Sequence, residues 1–352
     1  MSDHTLQIQE IVRTALSQKK PLKIVGGNTK SFYGRMSEGE VLHLAEHQGI
    51  LDYEPSELVV TARAGTRLQE LSDVLVSRGQ CLGFEPPCFG NEATLGGTIA
   101  CGLSGPARPY RGAARDFVLG VKCMNGKGEV LRFGGKVMKN VAGFDISRLM
   151  VGALGTLGIL LEISCKVFPV PKEEITLVMP IRSVKEALQQ MVHWSNQTIP
   201  LSASCYDGEN LFLRLSGISI QSARNKIPAE VFPEGTQFWA SLREQRLPFF
   251  TQGDKPLWRL SLPLNVPPLN LSGETLFEWS GGLRWLRSHL PAEVIRDAVE
   301  QVGGHATLFR GGDRNSAIFH PLPEALERLH HRVKDAFDPQ RILNPGRMTT
   351  GW

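Results

Sequence analysis

The sequence predicts an α+β protein in two parts, and three observations carry that expectation. Short apolar runs punctuated by glycine and proline alternate with segments of helical spacing along all 352 residues. Glycine is uneven, with 23 of its 36 copies in residues 1–170 and 13 in residues 171–352. Tryptophan runs the other way: all six (Trp194, Trp239, Trp258, Trp279, Trp285, Trp352) lie in the second half. Glycines set among Val, Ile and Leu mark tight turns and close backbone approach, not a flexible linker. Two halves so unlike in composition read as two domains with different tasks, and the length agrees at ~100–200 residues per domain.

The elements follow in chain order. Residues 5–19 carry Leu6, Ile8, Ile11, Val12 and Leu16 near helical spacing and predict a first helix. A strand at Leu22–Val25 runs into Gly26-Gly27-Asn28-Thr29-Lys30-Ser31. Strands are expected at Val41–Leu44, Ile50–Tyr53 and Leu58–Ala62. Thr66 with Gln69 has the spacing of a capping box for a helix near 67–78, with Gly79 as its left-handed stop. Thr94 caps a short glycine-bearing helix, Leu95–Cys101. Val118–Met124 and Glu129–Phe133 flank Asn125-Gly126-Lys127-Gly128, a hairpin signal. A short helix at Asp145–Val151 and a long strand at Thr156–Phe168 complete the first half.

Pro169-Val-Pro171 marks the expected boundary. Strands at Ile175–Pro180, Leu211–Leu215, Leu257–Leu262, Leu283–Leu286 and Ala306–Phe309 then alternate with helices at Val184–Asn196, Ser222–Ile227 and Glu293–Val302. This pattern predicts an antiparallel sheet with helices on one face, including a ferredoxin-like order. A last helix over 322–337 carries Leu322, Leu326, Leu329 and Val333. The aromatic stretch 228–291, with Phe249 and Phe250 beside its tryptophans, belongs either to the core of this part or to an interface.

Composition excludes several classes. A net charge of +4 argues against nucleic acid as a partner. No apolar run reaches the ~18–20 residues of a membrane span, and Leu149–Ile163 is broken by three glycines and Glu162. The N-terminus lacks an apolar leader, so a cytoplasmic protein is expected. The six cysteines show no CxxC pair, and the nine histidines do not cluster, so neither an iron–sulfur cluster nor a metal is expected on this chain.

The chemistry lies in the glycine-rich segments. After a strand, Gly26 and Gly27 let successive N–H groups converge on an anion, with Asn28, Thr29 and Ser31 as further donors and Lys30 as charge. The segment is neither GxGxxG nor a P-loop, and a plain turn is the alternative. Thr94-Leu95-Gly96-Gly97-Thr98 opens a helix whose free N–H groups suit a phosphate or a flavin carbonyl; close helix–strand packing is its alternative. Lys139-Asn-Val-Ala142-Gly143-Phe-Asp145 and Gly152-Ala-Leu-Gly155-Thr156-Leu-Gly158-Ile159 are the third and fourth. One extended ligand threading four such loops explains them together.

These residues carry a resemblance. VGGNTKSF (25–32), ATLGGTIACGLSG (93–105), KNVAGFD (139–145), GALGTLGIL (152–160) and the tail FDPQRILNPGRM (337–348) resemble the FAD-binding domain of the vanillyl-alcohol oxidase and p-cresol methylhydroxylase (PCMH) flavoproteins. Within that family the chain is most similar to the FAD-binding subunits of glycolate oxidase complexes. The resemblance implies a two-subdomain PCMH-type FAD-binding domain over residues 1–170, an α+β antiparallel-sheet cap over 171–320, and a flavin-contacting tail over 321–352. It implies that Gly26–Ser31 wrap the pyrophosphate and that Thr94–Thr98 form a second phosphate and flavin loop. Ala142 and Gly143 would lie near the flavin, Gly155, Thr156, Gly158 and Ile159 at the adenosine end, and Asn344 beside the flavin. Many relatives attach FAD through a histidine or cysteine; the pyrophosphate loop here has Asn28 and no histidine, and neither Cys88 nor Cys101 is clearly at an attachment position, so non-covalent FAD is expected.

Relatives that oxidise D-2-hydroxy acids carry a GEHG-like motif late in the cap. Here the nearest segment is Gly303-Gly-His305-Ala-Thr-Leu-Phe-Arg310. It offers a sketch, with His305 as base and Arg310 as carboxylate clamp. The missing motif points to a subunit that works with a second flavoprotein and an iron–sulfur subunit on a small 2-hydroxy acid, glycolate going to glyoxylate. It would be peripheral at the inner membrane through the complex; a self-sufficient FAD oxidoreductase is the alternative.

Overall fold

A computed structural model describes residues 2–135, 145–218 and 220–352. It divides into two compact units: one of residues up to 103, 113–170 and 314–352, the other of 104–112 and 171–313. Residues 104–112, which the sequence suggests as part of the first domain, therefore pack with the second unit, and 314–320 with the first.

The first unit begins with α1 (Thr5–Gln18), which buries Ile8, Val12 and Ala15 on one stripe. Then come β1 (Leu22–Val25), β2 (Glu40–His43), β3 (Ile50–Glu54), β4 (Val59–Arg63), α2 (Leu68–Val76), β5 (Gln80–Cys81) and α3 (Leu95–Cys101); α4 (Arg108–Arg111), next in the chain, belongs to the second unit. After α5 (Ala114–Phe117) follow β6 (Val118–Met124), β7 (Val130–Gly134), α6 (Ile146–Leu149), β8 (Ile159–Lys166) and β9 (Phe168–Pro169). The main sheet is antiparallel in the order β3-β4-β8-β6-β7. β8 is buried from Ile159 to Cys165 because both sheet faces are covered. Leu160 and Ile163 join Leu68, Leu71, Leu75, Leu95 and Ile99 in one core. Ile159 and Leu161 join Ile8, Val12, Leu22 and Leu343 in the other.

Local chemistry sets the boundaries. At the β6–β7 hairpin, Asn125 Oδ1 accepts the amides of Lys127 and Glu129, both at 3.0 Å, and Gly128 takes φ +73°. The expected capping box at α2 does not form: Thr66 Oγ1 accepts the amide of Gly49 at 2.9 Å, and Arg67 stands at the cap position with no side-chain bond. Thr94 does cap α3, accepting from Gly97 N at 3.2 Å.

The second unit contains β10 (Glu173–Pro180), α7 (Val184–Ser195), β11 (Leu201–Tyr206), β12 (Asn210–Gly217), α8 (Ile220–Arg224) and β13 (Glu230–Val231). It continues with α9 (Gly235–Arg243), α10 (Pro248–Thr251), β14 (Leu257–Ser261), β15 (Glu274–Glu278), β16 (Leu283–Arg287), α11 (Ala292–Glu300) and β17 (His305–Arg310). Its eight strands run β13-β10-β12-β11-β15-β16-β14-β17, antiparallel at every pairing. Each half of this order places its own four strands as 4-1-3-2, so the ferredoxin-like strand order occurs twice, joined where β11 meets β15; in the second half a loop and not a helix links β14 to β15. β11 alternates apolar residues with serines over Leu201–Cys205, yet all six of its residues are buried: Ser202 Oγ donates to Arg214 O at 3.1 Å and Ser204 Oγ accepts the Ser280 amide at 3.1 Å. Trp239, Trp258, Trp279 and Trp285 are all buried, so the tryptophans of the aromatic stretch are core, while Phe249 and Phe250 are half-buried.

The chain returns to the first unit with α12 (Glu324–Phe337). The stripe expected to be buried there is not: Leu322, Leu326 and Leu329 are exposed, and burial begins only near Val333 and Lys334. Among the described residues no helix is long and apolar enough to cross a membrane.

Candidate functional site

β1 delivers its chain to a cleft of ≈ 290 Å³ in the first unit. Gly26 to Ser31 line it, with Lys23, Thr94, Gly97, Cys101, Leu154, Asn344 and Arg347 among the other walls. A cavity of ≈ 70 Å³ adjoins it, sharing Ile24, Gly26, Thr94, Gly97, Leu154 and Asn344 and adding Gly96, Gly155 and Gly158. The sequence-selected loops at 26–31, 94–97 and 155–158 thus converge on one place.

Glycine is required here by contact. A Cβ on Gly27 would sit 1.4 Å from the carbonyl oxygen of Glu92, and one on Gly26 2.5 Å from Thr94 Oγ1. Asn28 adopts φ +57°, turning the chain at the mouth of the loop. Among the described residues the amides of Gly27, Asn28 and Thr29 donate to no protein acceptor. These free donors line a cleft whose walls, among the described residues, hold three cations, Lys23, Lys30 and Arg347, and no carboxylate. Lys30 is buried and donates to Cys88 O at 3.1 Å, so its charge is fixed in place. Arg347 donates to Ser31 O at 2.9 Å, Tyr33 O at 2.6 Å and Arg35 O at 2.8 Å, and burial holds its guanidinium below the usual arginine range. Burial pushes the Cys101 thiol up to about 11, against the pull of Lys30 and Arg347, so it is protonated at neutral pH. Such a set favours an anion held by backbone donors.

Other predicted residues serve different purposes. Gly96 packs against β4: a Cβ there would be 2.6 Å from Ala64 Cβ, and its amide already donates to Ala64 O at 2.7 Å. Leu95 N likewise donates to Thr66 O at 2.9 Å. The start of α3 therefore offers no free amides of Leu95 or Gly96, contrary to expectation, because neighbouring carbonyls consume them. Leu95, Thr98, Thr156 and Ile159 line neither cavity and are fully buried. Thr156 instead gives its carbonyl to Lys334 Nζ at 2.6 Å. Ala142 and Gly143 lie outside the described residues.

His305 and Arg310 are not brought together. They occupy opposite ends of β17, five residues apart, or about 16 Å at the rise of a strand. His305 is exposed at the strand's start, whereas burial lowers the Arg310 guanidinium. A base and a clamp for one small hydroxy acid need to be neighbours, and His305 and Arg310 are not. Among the described residues no group of three or more His, Cys, Asp or Glu could hold a metal ion.

Residues 2–134 match the FAD binding domain, and residues 321–348 the C-terminal domain of FAD linked oxidases. The chain is 47% identical to glycolate oxidase subunit GlcE of Escherichia coli (strain K12) over 348 residues, covering 98% of this chain and 97% of that protein. The chain belongs to the GlcE family of FAD-binding oxidase subunits. Its cofactor is FAD, and it is an FAD-dependent oxidoreductase subunit. A GlcE-type chain is also similar to glycolate oxidase subunit GlcD of Bacillus subtilis (strain 168), at 31% identity over 53% of this chain and 40% of that one. p-Cresol methylhydroxylase shares the fold, with TM-score 0.72 at 15% identity over 99% of this chain and 88% of that one. The PCMH-type fold expected from the sequence is therefore present.

Lys23 and Arg347 were not legible as site residues in the sequence. Lys23 looks like any alternating strand residue, while Arg347 sits inside the NPGR segment of the tail, where a cation beside a family motif was the available signal.

Proposed function

We propose that this GlcE-family chain holds FAD non-covalently in the cleft of the first unit and serves as the FAD-carrying subunit of a glycolate oxidase-type complex. The supporting observation is a cleft with, among the described residues, three cations, no carboxylate, and free amides at Gly27, Asn28 and Thr29. That donor set fits the diphosphate of FAD. The glycine pair lets the backbone approach where a side chain would collide with Glu92. Lys23 and Lys30 add positive field, and Arg347 holds the 31–35 segment against the tail.

FAD supplies two-electron acceptance and onward transfer of the electrons. The chain's own residues bind and orient it; with His305 and Arg310 apart, no residue of the second unit is assigned to deprotonate substrate. The second unit is read as the cap domain. Hydride removal from glycolate, or another small 2-hydroxy acid, then belongs to the assembled complex, with a second flavoprotein and an iron–sulfur subunit as partners. The complex is cytoplasmic, with peripheral attachment to the inner membrane through its other subunits.

The test is direct. The purified chain should be yellow, and acid precipitation should release its flavin into the supernatant; flavin retained in the pellet would mean covalent attachment. Glycolate should not bleach the isolated chain at the rate seen in the co-expressed complex. Equal rates would instead establish a self-sufficient enzyme.

A further inference from the structure

We infer that Asn344 is a strut that sets the spacing of the cofactor cleft, through two side-chain bonds to the protein's own backbone. This rests on the assignment of FAD to that cleft. The side chain of Asn344 bridges two walls. Its Oδ1 accepts the amide of Ile24 on β1 at 2.7 Å, and its Nδ2 donates to the carbonyl of Leu154 at 2.7 Å. Its own amide donates to Leu22 O at 2.9 Å. Ile24, Leu154 and Asn344 all line both the larger cleft and the smaller cavity beside it, so the strut stands where the two meet.

The surroundings are built for this one side chain. Asn344 is buried and takes φ +42°, a conformation asparagine tolerates better than other non-glycine residues. Gly155, at φ +72°, faces it so closely that a Cβ would lie 2.8 Å from Nδ2. One residue earlier, Leu343 O accepts from the buried Lys334 ammonium at 3.1 Å, which fixes the tail from behind. The carboxamide is the one neutral side-chain group of this size that accepts on one side and donates on the other. Alanine loses both links. Aspartate keeps the acceptor for Ile24 N but sets an oxygen against Leu154 O.

The experiment compares the full chain with its Asn344→Ala, Asn344→Asp and Gly155→Ala variants. FAD dissociation constants are measured by flavin fluorescence, alongside the flavin absorbance spectrum and the melting temperature of the FAD-free protein. Leu71→Ala, in the core beneath α2, provides a variant destabilised without touching either wall. Both Asn344 variants should bind FAD at least tenfold more weakly, with an altered flavin spectrum, while Leu71→Ala at a similar melting temperature stays within threefold. Gly155→Ala, which presses on the same amide without removing it, should shift affinity in the same direction; it also serves if Asn344→Ala fails to fold. Affinity within twofold of the unsubstituted chain, or a loss that only tracks melting temperature as in Leu71→Ala, overturns the strut. If the unsubstituted chain takes up no FAD, the cofactor assignment falls, and the strut with it.

Discussion

Replacing Lys334 by methionine tests how the C-terminal tail is held against the cofactor-binding unit. Lys334 and Asp338 are both fully buried on and just after α12, with Nζ 2.7 Å from Oδ2. The same ammonium donates to Thr156 O at 2.6 Å and Leu343 O at 3.1 Å. Asp338 in turn accepts the amides of Ile342 at 3.1 Å and Leu343 at 2.8 Å. Burial pulls the Lys334 ammonium below the usual lysine value, and the Asp338 carboxylate opposes that pull. Methionine matches the length but leaves a buried carboxylate without its cation and two carbonyls without a donor. Breaking such a pair from one side costs about 3–5 kcal/mol. At ~2–4 °C per kcal/mol for a unit of this size, the first unit should melt about 10 °C lower. The assay is calorimetric melting of the FAD-free chain, where the unit containing α12 is the one displaced. Adding Asp338→Asn to Lys334→Met should recover part of the loss, because the carboxamide oxygen still accepts the Ile342 or Leu343 amide without a buried charge. A shift below about 2 °C for the single substitution, or a double substitution worse than the sum, would refute the reasoning.

Three further predictions concern the cleft and the N-terminus. Gly97→Ser should fold and bind FAD poorly, since its Cβ meets only Thr94 Oγ1 at 3.2 Å, whereas Gly96→Ala should destabilise by ~1–3 kcal/mol through overpacking on Ala64; denaturant titration and flavin retention distinguish them. Lys23→Met should weaken FAD binding about fivefold at low salt, ~1 kcal/mol, and the difference from the unsubstituted chain should shrink in high salt. Burial, aided by the charge of Arg63 and opposed by Asp3, holds the His47 imidazole below 6.5, and its Nδ1 accepts the amide of His4 at 3.1 Å. The folded state therefore binds this proton more weakly than the unfolded chain, so its stability contribution is present above about pH 6.5 and lost as pH falls through the lower folded value. Melting at pH 7.5 and 5.5 should show a loss that His47→Gln reduces; an identical loss in both proteins would sink the assignment.

Much of the architecture was legible because it is written in local rules. Hydrophobic alternation and turn chemistry predict β1, β6, β7 and most of β10 to β17, and Thr94 and Asn125 act as their spacing implies. Where local rules failed, a distant partner won. Thr66 spends its hydroxyl on Gly49 instead of capping α2. β11 alternates apolar residues with serines, and those serines are buried because Arg214 and Ser280 partner them, which spacing does not show. The leucines of α12 form the stripe their spacing predicts, yet they are exposed, because spacing states which residues share a face and not what covers it.

The same division holds at the site. By itself the sequence determined that small residues gather in loops fit for an extended anionic cofactor, and the order of those loops carries the family. Only the tertiary structure decided which of those small residues meet the cleft. Gly26, Gly27 and Gly97 line it, Gly96 also packs on Ala64, and Asn344 spends both ends of its amide on protein backbone. The physical reason is that a glycine looks the same in sequence whether a ligand or a neighbouring backbone must come close. The choice is made by atoms tens or hundreds of residues away: Glu92 O opposite Gly27, Ala64 against Gly96, Ile24 and Leu154 on either side of Asn344.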